Sequence, residues 1–286
     1  MDNVRVTTLN WKTAKRMMLL LPILASLLFG ILCAFLLRTS SFGQYQVTPF
    51  SESTLGFLGS FANAFYFALL AGVGATVLYV LLKRNRHRLV LAITGFALTA
   101  ALFMLSMVYL YAALSEFPIQ YVDALVLAVS ILVTAAADYA IFKGKRFSGL
   151  AVLGVGGALG TFLGFALPTA STILILIVLA VYDAYAVYRG AVGKIARNGL
   201  DQLRGLSFSF KDVQMGLGDL TFYSMLSGHM LLTFGLTSCL ASLVGILIGC
   251  LVSFRMVEKR GVFPGLPFPI FFGLAAGFMT LLIVPS

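Results

Sequence analysis

The sequence predicts an all-α polytopic membrane protein with nine transmembrane helices, its N-terminus cytosolic and its C-terminus outside. Three observations carry that reading. The chain is 60% hydrophobic and only 10% charged, with a mean hydropathy of +1.01, whereas a soluble domain is roughly a quarter charged. Its apolar runs reach the roughly 20 residues needed to cross hydrocarbon. Its bases fall in alternate loops.

The spans follow in order at 17–37, 57–82, 89–113, 121–142, 148–167, 169–188, 216–235, 237–254 and 265–284. Arg5, Lys12, Lys15 and Arg16 precede the first, which is too long for a signal peptide and lacks a clear small-residue cleavage site, so it is read as a retained anchor. Lys83, Arg84, Arg86 and Arg88 join the second and third spans, and Lys143, Lys145 and Arg146 the fourth and fifth. The fifth carries Gly156, Gly160 and Gly164 at four-residue steps, the spacing of a face that packs closely on another helix. Arg189, Lys194, Arg197, Arg204 and Lys211 lie between the sixth and seventh spans, and Arg255, Lys259 and Arg260 between the eighth and ninth. Nineteen of the 20 Lys and Arg therefore share one side, with Arg38 alone opposite. The positive-inside rule makes that side cytosolic.

The chain divides into a six-span part (1–188), a cytosolic loop (189–215) and a three-span part (216–286). Within the loop, Leu206, Phe208 and Phe210 alternate with Ser207 and Ser209, which suits a short strand able to pair with an extended peptide; an interfacial linker is the alternative. The net charge of +10 does not mark a nucleic-acid binder, because the bases are dispersed among loops. Cys33, Cys239 and Cys250 fall in apolar spans without CxxC or metal-ligand spacing and read as packing residues. No metal or cofactor is expected.

Two carboxylates stand out. Asp183 lies in the sixth span, six residues before Arg189, and Asp219 in the seventh, eight after Lys211. At helical rise these are depths of roughly 9 Å and 12 Å below the cytosolic edge, so the two can face each other on antiparallel helices. An ionised carboxylate in hydrocarbon costs several kcal/mol at least. Two of them about 4 Å apart repel by roughly 4 kcal/mol at an effective dielectric near 20, so near neutral pH the pair is expected to hold one proton. A half-protonated pair has one carboxylate to take a proton from water and one acid to hydrogen-bond a carbonyl. Alone, either Asp also reads as a helix-pairing or ion-coupling residue. Gly216, Leu217 and Gly218 precede Asp219, the glycines leaving room for a substrate backbone. Tyr182 beside Asp183, and Tyr223 one turn past Asp219, are supporting candidates. Asp138, near Lys143, reads as an interfacial polar residue, Asp123 and Glu116 as outer-loop residues, and His229 as a polar packing residue.

Three stretches together resemble a known family. VYDAYAV (181–187), GLGDLTFYSML (216–226) and FPGLPFPIFFGL (263–274) are similar, in order, to the YD, GLGD and PAL motifs of the presenilins, GxGD intramembrane aspartyl proteases related to the signal peptide peptidases. Gly265 stands where Ala is usual. The resemblance implies that Asp183 and Asp219 are the catalytic pair, and that Pro264, Gly265 and Leu266 border the active site and place substrate. It implies an intramembrane aspartic endopeptidase without cofactor, acting on transmembrane proteins, of type I given the inferred orientation. The shorter 189–215 loop points to a compact microbial homologue, multi-pass in the cell membrane if prokaryotic. Its expected partners are substrate spans and the lipid bilayer; homo-oligomerisation is left open.

Other intramembrane hydrolases fit less well. There is no HExxH, only His87 and His229 are present, and no GxSxG occurs. A proton- or cation-coupled transporter is the competing class: it too pairs membrane carboxylates, and Pro22, Pro168 and Pro264 read as breaks in its helices.

Overall fold

Glycine, proline and one asparagine punctuate a chain that is otherwise helical almost throughout. The computed structural model describes residues 2–40, 48–115, 117, 121–143, 145–189, 207–210, 213–260 and 263–283. In order these form α1 (Asp2–Thr39), a single turn α2 (Glu52–Leu55), α3 (Phe57–Lys83), α4 (His87–Leu114), α5 (Val122–Lys143), α6 (Lys145–Ala166) and α7 (Thr169–Arg189). Two strands follow, β1 (Ser207–Phe210) and β2 (Val213–Gly216), then α8 (Leu217–Phe234), α9 (Leu236–Arg260) and α10 (Pro267–Ile283). Gly56 (φ 54°), Asn85 (φ 53°) and Gly235 (φ 90°) take left-handed backbone where one helix gives way to the next. Such φ values cost most side chains free energy, and the one-residue joint between α8 and α9 at Gly235 depends on this freedom. Pro168 stands between α6 and α7 and Pro264 ahead of α10, whereas α1 runs unbroken through Pro22.

Among the described residues, seven helices are long and apolar enough to cross a membrane, and Pro267–Ile283 is a shorter apolar helix. The protein is an integral, multi-pass membrane protein. α8 falls short of the other spans in hydropathy because Asp219, Thr221, Ser224, Ser227 and His229 lie along its 18 residues. It is also deeply enclosed: Leu220, Thr221 and every residue from Tyr223 to Leu231 are buried. Its neighbours are α1, α6, α7, α9 and α10. Ile23 and Leu27 of α1, Ile175 and Leu176 of α7, Ile246 of α9 and Ile270 of α10 close the core around Met225, Leu226 and Met230.

The glycine face of α6 makes this packing possible. A Cβ at Gly156 would sit 2.8 Å from that of Leu220, one at Gly160 would overlap the Thr221 carbonyl, and one at Gly164 would lie 2.6 Å from the Met225 carbonyl. The close-packing reading of those glycines holds. Hydrogen bonds from Ser26 to the Leu153 carbonyl and from Thr161 to the Gly30 carbonyl, both 2.8 Å, fasten α6 to α1 on its other side. The exterior carries exposed Phe57, Leu58, Phe61, Phe96, Leu132 and Phe271, as a surface solvated by lipid requires.

The chain departs from an all-α fold at the hairpin. β1 pairs antiparallel with β2 in the register Ser207 with Gly216 through Phe210 with Val213. The strand expected at 206–210 forms over Ser207–Phe210, paired within the chain; Leu206 and most of the 189–215 loop lie outside the described residues, as does Glu116.

Candidate active site

Three elements converge on the two aspartates. α7 carries Asp183 near its C-terminal end, and its first turn is held in place at the other. There the Glu52 carboxylate accepts the Ser171 N–H at 2.9 Å and the Ser171 hydroxyl at 2.5 Å. Asn63, fully buried, donates to Ser171 Oγ and to the Phe50 carbonyl, each at 2.9 Å. An acid on the free N–H groups of a helix start is favourable for both charge and hydrogen bonding. Glu52 therefore fixes the axis along which Asp183 is delivered.

Asp219 is set by a different device. The depth expected from a helix starting near Lys211 gives way to a strand that runs straight into α8, with Gly216 as its N-cap in extended conformation (φ −73°, ψ 146°). Asp219 is the third residue of the helix. An acid there can reach back to the cap N–H, and Asp219 Oδ2 lies 4.0 Å from where a Cβ on Gly216 would be. Only Leu217 and Gly218 separate the hairpin from the acid; Leu217 packs toward Gly156 of α6 and Gly218 is exposed.

The third element is the segment before α10. Pro264 and Pro267 have no N–H, so the quartet Pro264-Gly265-Leu266-Pro267 offers two backbone donors, and one of them is used on Asp183. The Leu266 N–H donates to Asp183 Oδ2 at 3.0 Å. Gly265 also lies over the other acid: a Cβ built on it would stand 2.7 Å from Asp219 Oδ2 and 2.9 Å from its Cγ. The two carboxylates thus meet at neighbouring residues of one segment, Asp219 at Gly265 and Asp183 at the Leu266 N–H. Pro264 and Leu266 are buried. Tyr223, 2% exposed, donates its hydroxyl to the Gly265 carbonyl at 2.8 Å.

Other candidates fall elsewhere. Tyr182 turns to α3, its hydroxyl 3.5 Å from where a Cβ on Gly72 would be. His229 is a packing residue: its Nδ1 pairs with the Gly164 carbonyl at 2.7 Å, and its Nε2 with Thr169 and Thr233 hydroxyls at 3.2 and 3.3 Å. Asp138 accepts from Thr99 at 2.8 Å between α5 and α4. The three cysteines are free and buried. Among the described residues no group of three or more His, Cys, Asp or Glu could hold a metal ion. Sequence reasoning did not find the Glu52 anchor or the Tyr223 contact, although the proline bracket that leaves two donors is visible in the sequence.

No protein-family model and no curated protein matches the chain. Solved structures do, two of them as follows. One, a presenilin family intramembrane aspartate protease in space group C222, is 21% identical, with a TM-score of 0.65 over 94% of this chain and 99% of that one. The other, a presenilin family intramembrane aspartate protease in space group P2, is 24% identical, with a TM-score of 0.64 over 93% and 98%. Over nearly its whole length, the chain has the fold of these presenilin-family structures.

Proposed function

We propose that the protein is an intramembrane aspartyl endopeptidase that hydrolyses peptide bonds within or near the transmembrane helix of type I membrane proteins. The observation that carries the proposal is the meeting of Asp183 and Asp219 at the Gly265–Leu266 segment, in a fold shared with presenilin-family proteases. In this reading all nine long helices span the bilayer, with the N-terminus cytosolic and the C-terminus outside, as the distribution of bases favours. The six-span part supplies one acid, and the three-span part supplies the other together with the Pro264–Gly265–Leu266 segment.

The two acids share a proton. The ionised member takes a proton from water as that water attacks the scissile carbonyl, and the protonated member donates a hydrogen bond to the carbonyl oxygen, yielding a tetrahedral diol. Which acid starts in which state is a property of the pair. Gly216, Leu217 and Gly218 leave space for an extended substrate. A helix must unwind before its peptide bonds can be attacked, and its freed N–H and C=O groups need partners inside the membrane. The outer edge of the β1–β2 hairpin, running directly into Asp219, can supply them by strand addition.

Purified protein in liposomes with a tethered type I span tests this directly. Asp183→Asn and Asp219→Asn should each lower cleavage by about 10³-fold or more, within the range for loss of a general acid or base, and leave folding intact. Persistent cleavage in either variant, or ion uptake without any proteolysis by the wild type, would favour the transporter class instead.

A further inference from the structure

The peptide unit between Gly265 and Leu266 is gripped at both ends. Its carbonyl accepts from Tyr223 at 2.8 Å and its N–H donates to Asp183 Oδ2 at 3.0 Å. A peptide unit is planar, with carbonyl and N–H pointing in opposite directions, so any turn of this plane loosens both bonds together. One bond leads to α7 and the other to α8. Tyr223 lies one helical turn beyond Asp219, so the helix carrying one acid reaches the other acid through this unit.

On the terms of the aspartyl protease reading, we propose that Tyr223 is a positioning residue for the pair: its hydroxyl holds the Gly265–Leu266 peptide plane so that the Leu266 N–H stays on Asp183. Gly265 has no side chain to restrain that plane, and the prolines on either side fix only their own φ. The restraint comes from Tyr223. Its ring is almost wholly buried, as is Cys250 of the packed helix α9, so the donor has little room to swing away. Plain packing would ask only for the ring. The hydroxyl is what the Gly265 carbonyl uses, and a buried carbonyl left without a partner is unfavourable.

Tyr223→Phe keeps the ring and removes the donor. Loss of one hydrogen bond that matters to the reacting geometry predicts a fall in kcat of about tenfold, with KM changed less than kcat because the hydroxyl reaches the substrate-bordering segment through one carbonyl only. The acidic limb of the pH–rate profile should be displaced from that of the wild type, since the donor on Asp183 is weakened. Hydrogen exchange at Leu266 should quicken in the folded enzyme without substrate. 3-Fluorotyrosine at position 223 retains the donor and should keep kcat and exchange near wild type, which separates the hydroxyl from any loss of folding in the phenylalanine variant. Unchanged exchange at Leu266 in Tyr223→Phe overturns the relay whether or not the protein is a protease, and so does an unchanged kcat and pH profile. Failure of the wild type to cleave any tethered span would instead remove the protease reading, and the exchange measurement would still decide the contact.

Discussion

Gly265 carries more of the site than its size suggests. The family resemblance leads to alanine at this position, and a methyl group there would lie 2.7 Å from Asp219 Oδ2 and 3.0 Å from Oδ1. Such contacts force a shift, and the atoms in the way are those of the Asp219 carboxyl, a reacting group in the proposed function. Gly265→Ala should therefore lower kcat by about tenfold or more, the order expected when a catalytic group is displaced by an ångström, with little change in thermal stability; turnover at the wild-type rate would show that the segment moves aside freely. The two acids were legible in the sequence because a carboxylate among apolar residues has no cheap structural explanation. The bond from Tyr223 to Gly265 was not, because it joins residues 42 positions apart and depends on how α8 and the pre-α10 segment meet. The two donors between Pro264 and Pro267 were written in the sequence, but their target was not.

The apolar runs between basic loops placed most of the long helices within a few residues: 57–82 became Phe57–Lys83, and 89–113 became His87–Leu114. Burial in lipid or protein makes such runs conspicuous. The exceptions are helices that run on into polar sequence, where hydropathy gives no signal: α1 starts at Asp2, well ahead of the span expected from 17, and α9 continues to Arg260. The hairpin was half legible: β1 alternates over all four residues of SFSF, whereas β2, with sequence VQMG, alternates over only three before it runs into the helix. α8 begins at Leu217, one residue from the expected 216, and the hairpin ahead of it leaves Asp219 in the first helical turn. The single turn α2 and its Glu52 escaped notice, because four residues give no periodicity and the acid acts on a helix start far along the chain. At this scale the glycine face of α6 is the sharpest test. Gly160→Val would drive a side chain into the Thr221 carbonyl and within 2.8 Å of the Met225 N and the Ser224 Cβ. Overpacking of this kind costs about 1–3 kcal/mol or more. A clear drop in the thermal midpoint of the detergent-solubilised protein should follow, measured against Gly154→Ala, whose new Cβ would come no closer than 3.9 Å to Phe29. Equal midpoints would mean that α6 and α8 are not packed as closely as described.

The whole molecule encloses one polar, tightly packed helix within apolar ones. α8 carries Asp219, Tyr223 and His229 and is covered by α1, α6, α7, α9 and α10, while the outer helices offer hydrophobic side chains to lipid. This arrangement lets two acids be held in a membrane protein, Asp183 by the Leu266 N–H and Asp219 against Gly265 of the same segment. Its central claim is that the acids work as a pair with one proton between them, and the pH dependence of kcat for a tethered type I span tests that most directly. The account predicts a bell-shaped profile, with one limb where the pair takes up a second proton and the other where it loses its only one. A profile with a single limb, or one that stays bell-shaped with undiminished height in Asp219→Asn, would contradict it.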